Sequence, residues 1–239
     1  MQTKQISSNM IVYHEERLAN HPDLAVFLES DVLKKLLDTL TDTIIVLGGD
    51  GTLLWAIQQY ADQNKSFLGI NFWSKGNLMI HRKNLRNGFL YVDYPLLEVT
   101  IHHKNEKITW VAFNEVVCKS TCGRTIELNW GIRSEKRGLV GDWLIVATPS
   151  GSSGYSLAAG GSELEKWSFI MTPLVPFDPI DAKPIIFPED EELVIEASNT
   201  RHRSTSVYVD GAPLIRTHPR SSHTSCKKIR NNGNASAKR

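Results

Sequence analysis

A glycine-rich segment that directly follows an apolar run constrains this chain more than any other feature. Residues 44–46 read Ile-Ile-Val, and residues 47–53 continue as Leu-Gly-Gly-Asp-Gly-Thr-Leu. A β-branched run that ends in paired glycines is typical of a buried strand that enters a tight turn. The apolar residues after Thr52 then predict a helix, and the N–H groups at a helix N-terminus bind anions. The segment therefore predicts a strand–turn–helix unit that can hold a phosphate.

The position of Asp50 in this turn allows two interpretations. A carboxylate beside a phosphate site indicates phosphoryl transfer, in which Asp50 acts on an acceptor hydroxyl or on a metal-bound water. Alternatively, the turn is purely structural, and Asp50 and Thr52 are caps of the following helix. The turn by itself does not decide between them.

The composition of the chain narrows the class of protein. A length of 239 residues with a formal net charge of +1 predicts one large or two small soluble domains, with no global field for nucleic acid or an anionic membrane. No apolar run approaches the ~20 residues of a membrane span, and the first residues lack the apolar core of a signal peptide. Cys118, Cys122 and Cys226 cannot all pair and complete no zinc pattern, so reduced thiols in the cytoplasm are expected.

Strands and helices alternate in the first part of the chain. Strands are predicted at 10–13, 43–47 and 67–71, and helices at 22–40 and 53–61. Such alternation implies a parallel sheet. Short β-rich runs separated by turn residues follow and predict an all-β unit. These runs cover residues 97–103, 107–118, 126–132, 144–147, 184–186, 193–197 and 206–209.

The change of pattern predicts two domains. Residues 1–92 are predicted to form a Rossmann-like α/β domain with a parallel sheet, which carries the glycine turn. Residues 93–218 are predicted to form a β-rich, β-sandwich-like domain. Residues 219–239 have almost no apolar side chains and are predicted to be a disordered tail.

Two further motifs lie in the β-rich part. Residues 148–155 read Thr-Pro-Ser-Gly-Ser-Ser-Gly-Tyr and follow a predicted strand. The hydroxyl and N–H groups of such a loop can bind a nucleotide, and the Tyr155 ring can pack against a base. Asn114 and Glu115 close another predicted strand, and an amide beside a carboxylate can bind base edges and ribose hydroxyls. Taken singly, each motif is also compatible with an ordinary structural or flexible loop.

Taken together, these segments resemble the NAD kinase family in content and in order. The glycine turn alone is shared with diacylglycerol, sphingosine and phosphofructo-kinases, whereas the loop at 148–155 is much more specific. The resemblance rests on residues 48–52, Asn114-Glu115, Asp142, residues 148–155, Ala159-Gly160-Gly161, Thr172-Pro173-Leu174 and Val209-Asp210-Gly211.

The resemblance implies an enzyme that phosphorylates the adenosine-ribose 2′-hydroxyl of NAD to form NADP. It implies ATP or inorganic polyphosphate as donor and Mg²⁺ or Mn²⁺ as the metal, for which no protein ligand is assigned. It also implies a cytoplasmic homodimer or homotetramer without nucleic-acid or membrane partners. By analogy, Asp50 would be catalytic. Gly48, Gly49, Gly51 and Thr52 would border the donor phosphates. The NAD-binding residues would be Asn114, Glu115, Asp142, Ser153, Gly154, Tyr155 and Ala158.

The chain departs from the family pattern in the loop after residue 71. Trp73 stands at a family glycine and Asn77 at a family aromatic residue, so that Trp73, Lys75 and Asn77 are candidate loop contacts. Trp73 can substitute as a stacking surface and Lys75 as a phosphate contact, or the loop has lost its affinity for NAD. Trp143 also replaces a family glycine and would be strained at a positive φ.

Two alternatives to an active NAD kinase therefore remain at this stage. The first is a catalytically weak or inactive dinucleotide-binding or regulatory relative. The second is a kinase of the same superfamily that acts on a lipid or a sugar, although the chain lacks a basic or amphipathic membrane surface.

Overall fold

The chain divides into two compact units, one of residues 1–94 with 231–239 and one of residues 95–230. The division falls close to the boundary predicted after residue 92. The computed structural model describes residues 1–6, 9–13, 18, 20–87, 92–103, 106–121, 124–132, 135–165, 167–177, 183–197, 205–217, 222–229 and 235–236.

The first unit is built on a five-stranded sheet. Its strands are β1 Gln2–Ile6, β2 Asn9–Tyr13, β3 Thr43–Gly48, β4 Ser66–Asn71 and β5 Ile80–His81. They lie in the order β1-β2-β3-β4-β5, in which β2 to β5 are parallel and β1 is antiparallel to β2. Every residue of β3 is buried, which is the environment of a central parallel strand.

The helices of the first unit cover this sheet with apolar side chains. They are α1 Pro22–Leu28, α2 Asp31–Thr39 and α3 Asp50–Tyr60, with 3₁₀ turns at Ala61–Gln63 and Arg82–Asn87. The single helix predicted over 22–40 is wrong, because Ser30 is extended and its hydroxyl caps α2 by accepting the Leu33 N–H. Among the described residues, no helix is long and apolar enough to cross a membrane.

The second unit is a sandwich of two six-stranded antiparallel sheets. Its strands are β7 Leu96–His103, β8 Glu106–Ala112, β9 Glu115–Ser120, β10 Ile126–Ile132, β11 Arg137–Gly141, β12 Trp143–Ala147, β13 Ser168–Leu174, β14 Ile185–Pro188, β15 Glu192–Ala197, β16 Thr205–Val209, β17 Ala212–Thr217 and β18 Ser222–Ile229. The sheet orders are β11-β10-β15-β18-β7-β8 and β14-β13-β12-β9-β16-β17. Two-residue strands, β6 Asp93–Tyr94 and β19 Ala235–Ser236, pair with each other in the first unit.

Alternation along β9 shows how the sandwich is filled. Val116 and Cys118 join the core between the sheets, whereas Val117 packs on the outer face beneath residues 155–164. Cys118 is a free cysteine in this core, and burial raises the pKa of its thiol to about 12. Cys122 and the side chain of Cys226 lie outside the described part of the chain.

Two predictions about the second unit are wrong. The strand predicted over 107–118 is interrupted at Phe113 and Asn114, where the chain passes from β8 to β9. The tail predicted to be disordered contains β18, which lies between β7 and β15. Its few apolar residues predicted disorder, but a strand between two neighbours is held by backbone hydrogen bonds on both edges, which composition does not reveal.

Candidate functional site

The turn between β3 and α3 is fixed by close backbone contacts. Gly48 has a φ of +153°, and a Cβ there would lie 2.6 Å from the Thr52 hydroxyl oxygen. The Gly48 carbonyl accepts the Phe72 N–H at 2.9 Å, and the Gly49 carbonyl accepts the Thr52 N–H at 2.8 Å. Glycine at position 48 is therefore required by both conformation and space.

Asp50 is the first residue of α3 and holds the neighbouring loop. Its Oδ2 accepts the N–H of Asn77 at 2.7 Å, and its Oδ1 accepts the N–H of Leu78 at 3.2 Å. Hydrogen bonds to an ionised acceptor are stronger than neutral ones. No side chain caps α3, so the interpretation of Asp50 and Thr52 as ordinary helix caps is wrong. The carboxylate is instead fixed in place by the loop at 73–78.

Residues 48–52 and 73–77, together with Leu18, line a cavity of about 630 Å³. Asn71 shapes the second of these segments, because its side chain accepts the Trp73 N–H at 2.8 Å and donates to the Lys75 carbonyl at 3.1 Å. The structure thus brings the predicted catalytic residue and the predicted phosphate-binding turn together with the loop contacts. These residues are Gly48, Gly49, Asp50, Gly51, Thr52, Trp73, Lys75 and Asn77.

The unusual Trp73 packs against the glycine turn. A Cβ on Gly49 would lie 2.9 Å from Cδ1 of the indole, so the ring rests directly on the turn. The ring centroid lies 5.5 Å from that of His21, which also contacts Phe72 at 5.4 Å, both edge to face. His21 is in turn fixed because its Nδ1 accepts the Asp23 N–H and caps α1. Trp73 is therefore part of the site and does not disrupt the turn.

The charged side chains that line the cavity are those of Asp50 and Lys75. No group of three or more His, Cys, Asp or Glu residues that could hold a metal occurs among the described residues. Asp50 is the carboxylate that lines the cavity, and both of its oxygens accept N–H groups. A divalent cation in such a site would be held mainly by the phosphate oxygens that it accompanies.

In the second unit, Asp210 organises the segment that carries Asn114 and Glu115. Its carboxylate accepts the N–H groups of Phe113 at 2.8 Å, Asn114 at 2.7 Å and Glu115 at 3.1 Å. Asp210 itself has a φ of +47° in a turn with Gly211. The sequence analysis includes Asp210-Gly211 among the motifs of the family resemblance, but it assigns no role to Asp210. The pair signals a turn, but its partner strand is nearly a hundred residues away.

The Glu115 carboxyl lies in an electrostatically unfavourable place for a charge. Burial raises its pKa to about 7, and the negative charge of Asp210 adds to this effect. The pKa of Tyr155 is also raised, first by burial and then by the charge of Glu115. The structure therefore brings Glu115 and Tyr155 close together, and these two residues form one cluster with the adjacent Asn114.

We expect Glu115→Gln to be more stable than the wild type at alkaline pH. Folding raises the Glu115 pKa from 4.5 to about 7. The stability that this carboxyl contributes is therefore fully present below pH 4.5 and is lost as the pH rises through 7. Gln cannot ionise and avoids this loss. Melting temperatures of both proteins between about pH 4 and pH 8 test this, with exposed Glu163 changed to Gln as the control. A difference that grows toward acid pH would contradict it.

The loop at 148–156 is anchored by buried polar contacts and is not a flexible loop. The Thr148 hydroxyl donates to the Phe113 carbonyl at 2.6 Å, and the Thr148 N–H donates to the Asn114 carbonyl at 2.9 Å. A Cβ on Gly151 would lie 2.2 Å from the Asn114 carbonyl oxygen. Further along, the hydroxyls of Ser156 and Thr172 are 2.7 Å apart and buried. The loop contains two short helical turns, Pro149–Gly151 and Ser152–Ser156.

The remaining predicted NAD contacts lie on the outer side of this loop. Ser153, Gly154 and Ala158 are exposed, and Tyr155 is half-buried with its ring 5.6 Å from that of Trp143. Trp143 lies in β12 without a positive φ, so the predicted strain is absent there. Asp142 lies before β12 and Thr148 after it, so about 20 Å of extended chain separates Asp142 from the loop at 148–156.

Comparison with known proteins identifies the family. The family model described as ATP-NAD kinase C-terminal domain matches residues 76–227, which is more than half of the chain. The chain belongs to the NAD kinase family. An NAD kinase of Campylobacter lari is 30% identical over 188 residues, covering 73% of this chain and 65% of the relative. An NAD kinase of Carboxydothermus hydrogenoformans is 32% identical over 186 residues, covering 71% and 65%. The chain thus spans about 65% of the length of these relatives.

Solved structures agree with the family assignment at the level of the fold. Yeast NADH kinase, complexed with NADH, matches with a TM-score of 0.73 and 22% identity, over 86% of this chain and 63% of its own. An Archaeoglobus fulgidus NAD kinase in complex with ATP matches with a TM-score of 0.66 and 22% identity, over 95% and 91%. The predicted fold class, a parallel α/β part followed by a β-rich part, is confirmed.

Proposed function

We propose that this protein is an NAD kinase that phosphorylates the adenosine-ribose 2′-hydroxyl of NAD to form NADP, with ATP as donor. The observation that carries the proposal is the Asp50 carboxylate, held by two backbone N–H groups in the cavity of the glycine turn. Family membership and the names of the relatives support the choice of NAD as substrate. The ATP complex of the archaeal neighbour supports the choice of donor.

The glycine turn would receive the phosphates of the donor. Gly48, Gly49, Gly51 and Thr52 border the cavity at the start of α3, where backbone N–H groups and the helix dipole favour negative charge. Lys75 also lines the cavity and would add a positive charge. Mg²⁺ or Mn²⁺, bound with the donor, would neutralise further charge on the phosphates.

Asp50 would orient the acceptor hydroxyl and accept its proton. Phosphoryl transfer through a loose transition state needs alignment and charge neutralisation more than it needs a strong base. A carboxylate held by the Asn77 and Leu78 N–H groups has little freedom to move, which favours this alignment. The proton would leave the hydroxyl late, as its oxygen bonds to the transferred phosphorus.

The cluster in the second unit would bind the adenosine of NAD. An ionised Glu115 can accept hydrogen bonds from ribose hydroxyls, the Asn114 amide can bind a base edge, and Tyr155 can pack against the base. Ser153, Gly154 and Ala158 are proposed as neighbouring contacts, and Asp142 as a more distant one. A cytoplasmic homodimer or homotetramer, and polyphosphate as a second donor, stay predictions from the sequence.

No specific observation favours the alternatives. The weak or inactive dinucleotide-binding relative rested in part on Trp73, Asn77 and Trp143. Trp73 packs on the turn, the Asn77 N–H binds Asp50, and Trp143 is unstrained. A lipid or sugar kinase rested on the glycine turn alone, whereas the family model matches over residues 76–227.

The first test is NADP formation from NAD with Mg²⁺ and either ATP or inorganic polyphosphate. We expect NADP to accumulate with ATP, measured by an enzyme assay specific for NADP. A protein that makes no NADP with either donor, yet is stabilised against heat by NAD, would contradict the proposal and favour a dinucleotide-binding relative.

A further inference from the structure

An aromatic side chain stands in the cavity of the glycine turn. Trp73 lines this cavity together with Gly49 and Lys75. Its ring edge lies on Gly49, where a Cβ would be 2.9 Å from Cδ1, yet 38% of the residue remains exposed. A large apolar surface is therefore available next to the backbone that would receive phosphates.

The indole is held in place before any ligand binds. The backbone N–H of Trp73 donates to the Asn71 side-chain oxygen at 2.8 Å, which fixes the main chain, and the indole ring is packed against His21 at 5.5 Å. His21 is fixed by its cap on α1 and by its contact with Phe72 at 5.4 Å. Because the ring is fixed in this way, binding against it costs less conformational entropy than binding against a mobile side chain.

The chemistry of the cavity separates two kinds of phosphate donor. The N–H groups at the start of α3 and the Lys75 ammonium attract any polyphosphate chain, whether or not it carries a base. An indole surface contributes affinity for a ligand with a flat ring, through stacking and apolar burial, and gives nothing comparable to an inorganic chain. Among the residues that line the cavity, Trp73 thus offers a surface that a base can use and an inorganic chain cannot.

We infer that Trp73 is a specificity-determining residue that selects a nucleoside triphosphate over inorganic polyphosphate by packing its indole against the base. The inference rests on the proposed function, because it assigns the cavity to the phosphoryl donor. NAD also contains a base joined to phosphates and could pack against the same indole, so the experiment measures the binding of NAD and of the donor separately.

The test compares binding of ATP, inorganic tripolyphosphate and NAD, each with Mg²⁺, by isothermal titration calorimetry. For Trp73→Ala we expect the affinity for ATP to fall about fivefold or more, while the affinity for tripolyphosphate changes little. Trp73→Phe keeps an aromatic ring and should retain most of the ATP affinity. Lys75→Met should weaken ATP and tripolyphosphate equally. Trp167→Ala, an exposed tryptophan of the second unit, is the matched control.

The ratio of ATP to tripolyphosphate affinity decides the outcome, because damage to the fold lowers both affinities together. An unchanged ratio in Trp73→Ala, or a loss confined to NAD, would overturn the inference. If no donor yields NADP but the ratio still falls, the proposed function fails, while Trp73 still favours the nucleotide over the inorganic chain in binding. If NADP forms but the ratio is unchanged, the inference fails and the function stands.

Discussion

Replacing Asp50 with asparagine is expected to lower the rate of NADP formation by about 100-fold or more. The amide cannot accept the proton of the 2′-hydroxyl. The wild-type carboxylate accepts the backbone N–H groups of Asn77 and Leu78. In the asparagine variant, one of these N–H groups would face the side-chain NH₂ group and lose its acceptor. Asp50→Asn should therefore both slow the chemistry and loosen the loop at 73–78.

Two measurements separate these effects. Steady-state kinetics with NAD and ATP measure the rate of NADP formation. Hydrogen exchange of the backbone amides of residues 77 and 78 measures how firmly the loop at 73–78 is held. Asp62→Asn changes an exposed aspartate just after the same helix and should leave both readouts near the wild type. An Asp50→Asn protein that keeps the wild-type rate would refute the role assigned to Asp50.

Replacing Asp210 with alanine is expected to destabilise the protein by about 3 kcal/mol or more. The change leaves three partly buried N–H groups, those of Phe113, Asn114 and Glu115, without their carboxylate acceptor. Alanine also adopts a φ of +47° less readily than aspartate does, which adds to the loss. Because the segment that carries Asn114 and Glu115 loses its anchor, affinity for NAD should fall as well.

Urea unfolding and NAD titration of Asp210→Ala and Asp210→Asn test this prediction. Asparagine tolerates a positive φ and keeps one acceptor oxygen, so it should be the milder change. Removal of the Asp210 charge should also lower the pKa of Glu115, which is raised in part by that charge. Asp42→Asn, at another aspartate with positive φ, is the control. A free energy of unfolding in urea and an NAD affinity equal to the wild type in Asp210→Ala would contradict the assignment.

Local patterns predicted the elements whose signals are contained in a few adjacent residues. The run at 43–47 and the glycines after it predicted a buried strand, a tight turn and the helix that became α3. The same local patterns wrongly predicted α1 and α2 as one helix, because the apolar spacing continues past Ser30. The break depends on one capping hydrogen bond, which the Ser30 hydroxyl accepts from the Leu33 N–H. It also missed β18, whose stability comes from backbone pairing with β7 and β15.

The sequence by itself determined the family and the glycine turn at 48–52, and it predicted the residues to which we assign phosphoryl transfer and adenosine binding. Those signals lie in short motifs whose order along the chain is visible without coordinates. The tertiary structure alone decided that Asp50 binds the N–H groups of the loop at 77–78, that Trp73 rests on Gly49, and that Asp210 holds Asn114 and Glu115. Each of these contacts joins residues that are distant in the chain, and their approach depends on strand pairing and packing, which no local pattern encodes.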